Sequence, residues 1–384
     1  MTTGDRLPVA LDVSAVPVQP AGAGIYVLRL VEALAAAGGL DLSLVAAVGD
    51  RRRWEQAAPD ATVHAVAPGR RPVRLAWEQA QAPALARRLG GLWHGPHYTM
   101  PLRAEVPAVV TIHDLTFYDH PEWHERAKVM YFRRMIRESS ERAHTLVCVS
   151  EYTAARLEAL LAPTVPVEVI THGVDHRRFR VGDDDDLERL ATLGVRPPFV
   201  AFTGTLEPRK NVPALVRAMT RLAPAHPDLQ LVLAGHRGWG GAEVDAAVTT
   251  SGLNDRVMSL GYVDDAVLPA LYRQAAAVAY PSLEEGFGLP ALEALACGAA
   301  VVTSSGSAME EVAGGAALLV TPGDEAALTE AIEALVAGGP EVESLRRAGP
   351  AVAQGHTWAR AAERQIELYR RVLASSPPPV TPTS

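Results

Sequence analysis

The sequence predicts an α/β chain of two Rossmann-like, doubly wound parallel-sheet domains that face an interdomain cleft. Three observations predict it. Strand-like apolar runs alternate with helical periodicity, which implies parallel sheets covered on both faces. The alternation stops at an acidic run, residues 183–186, and then begins again. The 384 residues, 48% of them hydrophobic and 21% charged, suffice for two cores at about 100–200 residues each.

In the first half, residues 8–13 are a short apolar run that reads as the first strand. A Pro/Gly/Ala loop leads into a helix over 24–37. Further strands are expected at 42–48, 62–66, 108–112 and 145–149, with helices over 75–89 and 125–143. Ser150 is an N-cap for the next helix, with Glu151 and Thr153 in its first turn. A strand over 167–170 closes the set. The acidic run after it reads as solvated linker charge, so the first domain spans 1–178.

The second domain, 179–357, restarts with a strand at 199–203. Strands at 229–234, 257–260, 277–280, 300–303 and 317–320 alternate with helices. An amphipathic helix then covers 358–374. The tail 375–384, SSPPPVTPTS, has the composition of an unfolded segment. In open parallel sheets ligands bind beyond the carboxyl ends of the strands, so the chemistry is expected on loops that follow strands.

Composition excludes several function classes. The net charge is −8, with +2 through residue 180 and −10 beyond it, so no nucleic-acid partner is expected. No apolar run reaches the roughly 20 residues of a membrane span, and the N-terminus does not read as a secretory leader. Cys148 and Cys297 read as buried thiols in a reducing, cytoplasmic protein. No HExxH motif or Cys/His cluster calls for a metal, and no cofactor is expected.

Four motifs carry chemistry. In YPSLEEGFGLPALEALACG (280–298) a strand ends at Tyr280, the loop Glu285-Gly286-Phe287-Gly288 follows, and Leu289 and Pro290 open a helix. Loop amides and a helix N-terminus suit phosphate or sugar oxygens. Glu285 and Glu293 can face one site, where ionised carboxylates accept from hydroxyls. The bland alternative is a dipole-favoured helix acid and a solvated loop charge; Glu284 reads as solvated. In FTGTLEPRKNVPALVRAM (202–219) a strand ends at Thr203, Gly204 and Thr205 follow, and Arg209 and Lys210 precede a helix beginning near Asn211. Cations are unfavourable there unless an anion is shared, which points to a diphosphate; two surface cations are the alternative. Lys210 is one of only two lysines among 36 basic residues, the other being Lys128.

The loop AGAGIYVLRL (21–30) has Gly22 and Gly24 available for close approach to a ligand, though a plain turn explains them equally. It is not a GxGxxG, so a dinucleotide site is not indicated. In VVTIHDLTFYDHPEWH (109–124), His113 begins a loop after an apolar strand and could hydrogen-bond a hydroxyl, with Asp114 orienting it or capping the next element. A structural histidine is the alternative, and His94 and His97 in WHGPHYTMP read as structural.

The combination of GTLEPRKN, LVLAGHRGW, GYVDDAVLPALYRQA, YPSLEEGFGLPALEALACG and TSSGSAMEEVAG resembles retaining glycosyltransferases of the GT-B fold, and more narrowly glycosyltransferase family four. AGAGIY, HGPHYTMP, TIHDL, VSEYTAARL and HGVD extend the resemblance over nearly the whole chain to about residue 373. By that similarity the first domain binds acceptor, the second binds the nucleotide sugar, and the last helix crosses back onto the first. Arg209 and Lys210 would hold the donor diphosphate. Glu293 would accept from the ribose, and Glu285 would contact the transferred sugar with amides around Phe287, Gly288 and Leu289. Gly235 and Val263 lie where relatives contact the base. The Gly22–Gly24 loop would close on the donor, and His113 would sit near the reacting sugar. Ala23 and Ile25 depart from the family pattern in that loop.

The resemblance implies a GDP- or UDP-sugar donor, mannose from GDP-mannose first, and a glycan, lipid-linked or small-molecule acceptor. The alternatives are a nucleotide-sugar epimerase of related architecture and a non-catalytic nucleotide-sugar-binding subunit. The helix RAKVMYFRRMIRESSERA, with Arg133, Arg134 and Arg137 beside Met130, Phe132 and Ile136, reads as an ordinary packed helix. Peripheral contact with the inner face of a membrane is its second reading.

Overall fold

The computed structural model describes residues 6–182, 185–264 and 266–375. It divides into two compact units, Met1–Gly173 with Trp358–Ser384, and Val174–Thr357. The second begins ahead of residue 179, where the sequence suggests a boundary. Residues 376–384, most of the tail expected to be unfolded, lie outside the described residues.

Unit 1 is built on a seven-stranded parallel sheet. Its strands are β1 (Leu7–Asp12), β2 (Leu40–Ala47), β3 (Thr62–Ala67), β4 (Leu92–Gly95), β5 (Ala108–Ile112), β6 (Thr145–Cys148) and β7 (Val167–Val169), in the order β3-β2-β1-β4-β5-β6-β7. The order reverses between β1 and β4, the switch point where doubly wound sheets open a crevice. β4 to β6 are buried along their whole length, as strands covered on both faces must be. One core cluster joins Val9, Leu11, Leu30, Val31 and Leu34 to Leu368, Tyr369 and Val372 of the final helix, Trp358–Ser375. That helix therefore belongs to unit 1, and it runs one residue into the segment expected to be unfolded.

Unit 2 has six parallel strands: β8 (Phe199–Thr203), β9 (Gln230–Ala234), β10 (Val257–Gly261), β11 (Ala277–Tyr280), β12 (Val301–Ser304) and β13 (Leu318–Val320), in the order β10-β9-β8-β11-β12-β13. Its switch point lies between β8 and β11. Side-chain caps start two of its helices. Ser307 Oγ accepts from the Met309 N–H at 3.2 Å and Asp324 Oδ1 from the Ala327 N–H at 2.9 Å, as Ser150 Oγ does from Thr153 in unit 1 at 3.0 Å.

Three expectations need correction. The single helix over 75–89 is two, Arg71–Ala80 and Ala82–Leu89, because Pro83 has no N–H to give and its ring crowds the preceding turn. β4 is absent from the expected strands, because His94 and Gly95 cut its apolar run to Leu92 and Trp93. The acidic run is not simply solvated linker charge. Asp183 and Asp184 lie outside the described residues, but Asp186 is buried in the helix Asp186–Thr192 and takes both Nε and Nη2 of Arg273 at 2.6 Å. Such a bidentate pair is structural: removing one partner of a buried ion pair costs about 3–5 kcal/mol.

The arginine-rich helix Arg126–Arg142 packs as an ordinary one, with Phe132 and Ile136 buried and Arg133 tied to the carbonyls of Phe117 at 2.7 Å and Tyr118 at 3.2 Å. Met130 is exposed. Among the described residues no helix is long and apolar enough to cross a membrane.

Candidate active site

The motif residues of unit 2 meet at its switch point. After β8 the chain makes a short turn, Pro208–Lys210, before the helix Val212–Leu222. After β11 the loop Pro281–Gly288 leads into the helix Leu289–Ala296. The two loops are stitched by backbone, the Leu283 N–H donating to the Arg209 carbonyl at 2.7 Å. Side chains complete the join. Arg209 Nη1 donates to Glu285 Oε2 at 2.5 Å, Lys210 Nζ pairs with Glu285 Oε1, and Ser282 Oγ donates to the same Oε1 at 3.1 Å. Arg209 Nε also holds Glu207 at 2.7 Å.

Lys210 and Glu285 are both buried. Burial is the largest influence on Glu285 and raises its pKa, but the charges of Arg209 and Lys210 and their hydrogen bonds together outweigh it and hold the carboxyl at about 2. Glu285 is therefore ionised at neutral pH. The sequence suggested a cation pair and a separate carboxylate; the structure joins them. Glu284 is partly exposed, and its carbonyl accepts from Arg209 at 3.4 Å.

Glu293 is in the helix Leu289–Ala296, buried, and reached through side chains that sequence reading missed. Thr203 Oγ1, at the end of β8, shares hydrogen bonds with the hydroxyls of Tyr272 at 2.7 Å and Tyr280 at 2.6 Å, and Tyr272 donates to Glu293 Oε2 at 3.3 Å. A tyrosine closing an apolar strand was the available signal, since a buried hydroxyl needs a partner. Gly288 precedes this helix at φ 99°, and a Cβ there would overlap Met309 Sδ. Phe287 and Leu289 are buried on either side of it.

Gly204 and Gly235 close β8 and β9 side by side. A Cβ on Gly235 would overlap the Gly204 carbonyl, so only glycine permits that approach. Thr205 follows Gly204, and Val263, partly exposed, follows β10. Among the described residues no group of three or more His, Cys, Asp or Glu side chains is placed to hold a metal ion.

The remaining motif residues lie in unit 1. Gly22 precedes the helix Ala23–Ala37, and Gly24 is in its first turn. His113 follows β5, is buried, and hydrogen-bonds the Pro96 carbonyl through Nε2 at 2.8 Å. A carbonyl only accepts, so the proton is on Nε2. Burial lowers the pKa of this imidazole against the opposing pull of Pro96 and Asp114, which leaves it neutral with its Nδ1 lone pair available to a donor. Asp114 caps rather than orients, taking the N–H and Oγ1 of Thr116 at 3.1 and 2.7 Å. His94 is buried, with Nδ1 at 2.6 Å from the Tyr369 hydroxyl and Nε2 at 2.8 Å from Thr111 Oγ1. His97 is partly exposed, with its ring 5.7 Å from that of His113.

Comparison with known proteins gives this geometry its context. The family described as "Glycosyl transferases group 1" matches residues 183–352, and "Glycosyltransferase Family 4" matches residues 20–178. The chain is 30% identical over 302 residues to O-antigen chain mannosyltransferase B of Escherichia coli, covering 77% of this chain and 78% of that protein. It is 32% identical over 250 residues to D-inositol 3-phosphate glycosyltransferase of Nocardia farcinica, of which it spans 53%. Among solved structures, sucrose-phosphate synthase from Thermosynechococcus elongatus superposes with a TM-score of 0.79 at 25% identity, over 97% of this chain and 100% of that one. Anabaena Alr3699/HepE in complex with UDP-glucose gives 0.78 at 20% identity, over 94% and 99%, a likeness of fold. With two units, each an open parallel sheet of GT-B type, the chain belongs to the group 1 glycosyltransferases of family four and is a hexosyltransferase.

Proposed function

We propose that the enzyme is a retaining glycosyltransferase that moves mannose from GDP-mannose onto a glycan, lipid-linked or small-molecule acceptor. The observation that carries the reading is the meeting of Arg209 and Lys210 at the switch point of unit 2, beside the helix Leu289–Ala296. Two cations there suit the diphosphate of a nucleotide sugar. The choice of mannose is supported by the 30% identity to an O-antigen mannosyltransferase.

In this reading unit 2 (with Gly204, Thr205, Gly235 and Val263 around diphosphate and base) holds the donor, and unit 1 holds the acceptor. Glu293, positioned by Tyr272, accepts from the ribose hydroxyls. Glu285, with amides of Gly286, Phe287, Gly288 and Leu289, meets the transferred sugar. A carboxyl held at about 2 is no general acid at neutral pH, and as a carboxylate it accepts hydrogen bonds from hydroxyls. The Gly22–Gly24 turn serves the donor, and Nδ1 of His113 accepts from a hydroxyl of the reacting sugar.

The bond from the anomeric carbon to the diphosphate oxygen breaks as Arg209 and Lys210 stabilise the departing charge. The acceptor oxygen forms the new bond on the same face, and its proton passes to the leaving phosphate oxygen. Catalysis is then positioning plus electrostatic stabilisation. Side-chain cations neutralise the diphosphate without a divalent metal. Free thiols at Cys148 and Cys297, both buried and pushed up to about 12 by burial, fit a reducing cytoplasm.

The test is release of free nucleoside diphosphate from a panel of GDP-mannose, UDP-glucose and UDP-N-acetylglucosamine with mixed glycan acceptors, with and without EDTA. GDP release that requires an acceptor and survives EDTA is expected. Conversion of the donor to an isomer without acceptor would make the enzyme an epimerase. Binding without turnover across the panel would make it a non-catalytic subunit.

A further inference from the structure

One buried polar assembly in unit 1 has no part in the chemistry proposed above. Tyr369 of the final helix, His94 of β4, Thr111 of β5 and Tyr26 of the helix Ala23–Ala37 form a continuous chain of hydrogen-bonding groups. The Tyr369 hydroxyl is 2.6 Å from His94 Nδ1, His94 Nε2 is 2.8 Å from Thr111 Oγ1, and Thr111 Oγ1 is 3.3 Å from the Tyr26 hydroxyl. Three of the four side chains are wholly buried and Tyr26 is 2% exposed, so none is reached by a ligand in this state.

The chain ends against His113. The Tyr26 ring meets the His113 imidazole edge-on, centroids 5.0 Å apart and planes at 80°. Thr111 acts on His113 by a second route. Its carbonyl accepts from the Tyr98 N–H at 2.9 Å, which anchors the loop whose Pro96 carbonyl fixes His113 Nε2. The final helix touches Tyr26 directly as well, through Trp358 at 6.2 Å between centroids. Trp358 and Tyr369 are about three helical turns apart and so lie on one face.

We infer that Tyr26 is a positioning residue for His113, held by the chain Tyr369–His94–Thr111 so that the final helix sets the orientation of the imidazole. Packing alone does not account for the chain. A phenylalanine would fill the space of either tyrosine, and an apolar set of the same shape would match a fully bonded polar set in stability. What the hydroxyls add is direction: each bond fixes the rotation of the next group, and the last fixes the wall against which His113 rests. Tyr26 also lies just after the Gly22–Gly24 turn, so the same contact ties the start of that helix to His113. The inference rests on the reading that His113 touches the reacting sugar.

Two conservative variants, Tyr26→Phe and Tyr369→Phe, test it in the full chain, using GDP-mannose and the most active acceptor of the panel. Each is expected to lower kcat about fivefold, the scale of one hydrogen bond, with the KM for GDP-mannose within about twofold. In a His113→Ala background Tyr26→Phe is expected to add nothing, because its effect passes through the imidazole. A loss that multiplies in that background, or a lower melting temperature with unchanged kcat, would overturn the inference.

Nitrogen-15 spectra of labelled histidine supply a readout independent of activity. Tyr369→Phe is expected to move the ring signals of His113 and leave those of His226 in unit 2 unmoved. His113 signals that stay in place would overturn the positioning role. Full turnover by His113→Ala would instead sink the sugar-contact reading, while the spectra still judge the positioning.

Discussion

At the switch point of unit 2 a buried carboxylate is held ionised, whereas at that of unit 1 burial pushes the ionisable groups towards their neutral forms. Between β8 and β11, Glu285 is kept at about 2 by Arg209 and Lys210, so burial is met by pairing opposite charges. Beyond β1 and β4 burial instead disfavours charge. His94 is pushed down to about 3, chiefly by burial and then by His113. Asp12 at the end of β1 is raised by burial, and Glu78 is raised to about 7 by burial and by Asp12. One topology thus carries two electrostatic solutions. An ion-paired site suits exchange of one anion for another at the cations, as a diphosphate requires. A neutral site of imidazoles and hydroxyls suits uncharged partners that donate and accept hydrogen bonds.

The contrast can be broken most sharply at Lys210. Lys210→Ala leaves Glu285 with Arg209 as its one cation partner and removes a cation from the proposed diphosphate site, so turnover is expected to fall about 10²–10³-fold by nucleoside diphosphate release. Full activity would end the donor-site assignment.

A second comparison uses pH. His94 has a folded pKa of about 3 against an ordinary 6.5, so its contribution to stability is fully present above pH 6.5 and is lost as pH falls towards 3. Glu285, at about 2 against 4.5, contributes above pH 4.5 and loses that contribution as pH falls towards 2. The stability difference between His94→Asn and the parent should therefore begin to change below pH 6.5, and that of Glu285→Gln only below 4.5. Tryptophan emission follows unit 1, where five of the six tryptophans lie (Trp54, Trp77, Trp93, Trp123 and Trp358), and hydrogen exchange at β8 and β11 follows unit 2. Equal windows would remove the distinction between the units. The smallest effect is expected next door to the ion pair. Glu284→Gln, at a partly exposed carboxylate, should change turnover less than about twofold, and a large loss would move the sugar contact from Glu285 to Glu284.

Much of this was legible in the chain. Strands expected at 108–112, 199–203 and 277–280 coincide with β5, β8 and β11, because unbroken apolar runs bounded by turn residues admit little else. Arg209 and Lys210 stood out because cations before a helix start create a conflict that an anion resolves. β4 was illegible because His94 and Gly95 cut its apolar run to two residues, and with it went the setting of His94. Asp186 looked like its acidic neighbours because sequence proximity says nothing of Arg273, which is brought to it by folding.

By itself the sequence determined the alternation of elements, the family, and the residue types at the ends of the strands. These follow from periodicity, from capping and turn chemistry, and from motif spacing, all of which act over a few residues. Only the tertiary structure decided which of those residues share a site and in what charge state. Glu285 became a partner of both cations, Glu293 a partner of Tyr272, and His113 a neutral acceptor leaning on Tyr26. The physical reason is that burial and pairing depend on neighbours 17 to 275 positions away in the chain. Their distances are set by sheet order, which the order of residues does not state.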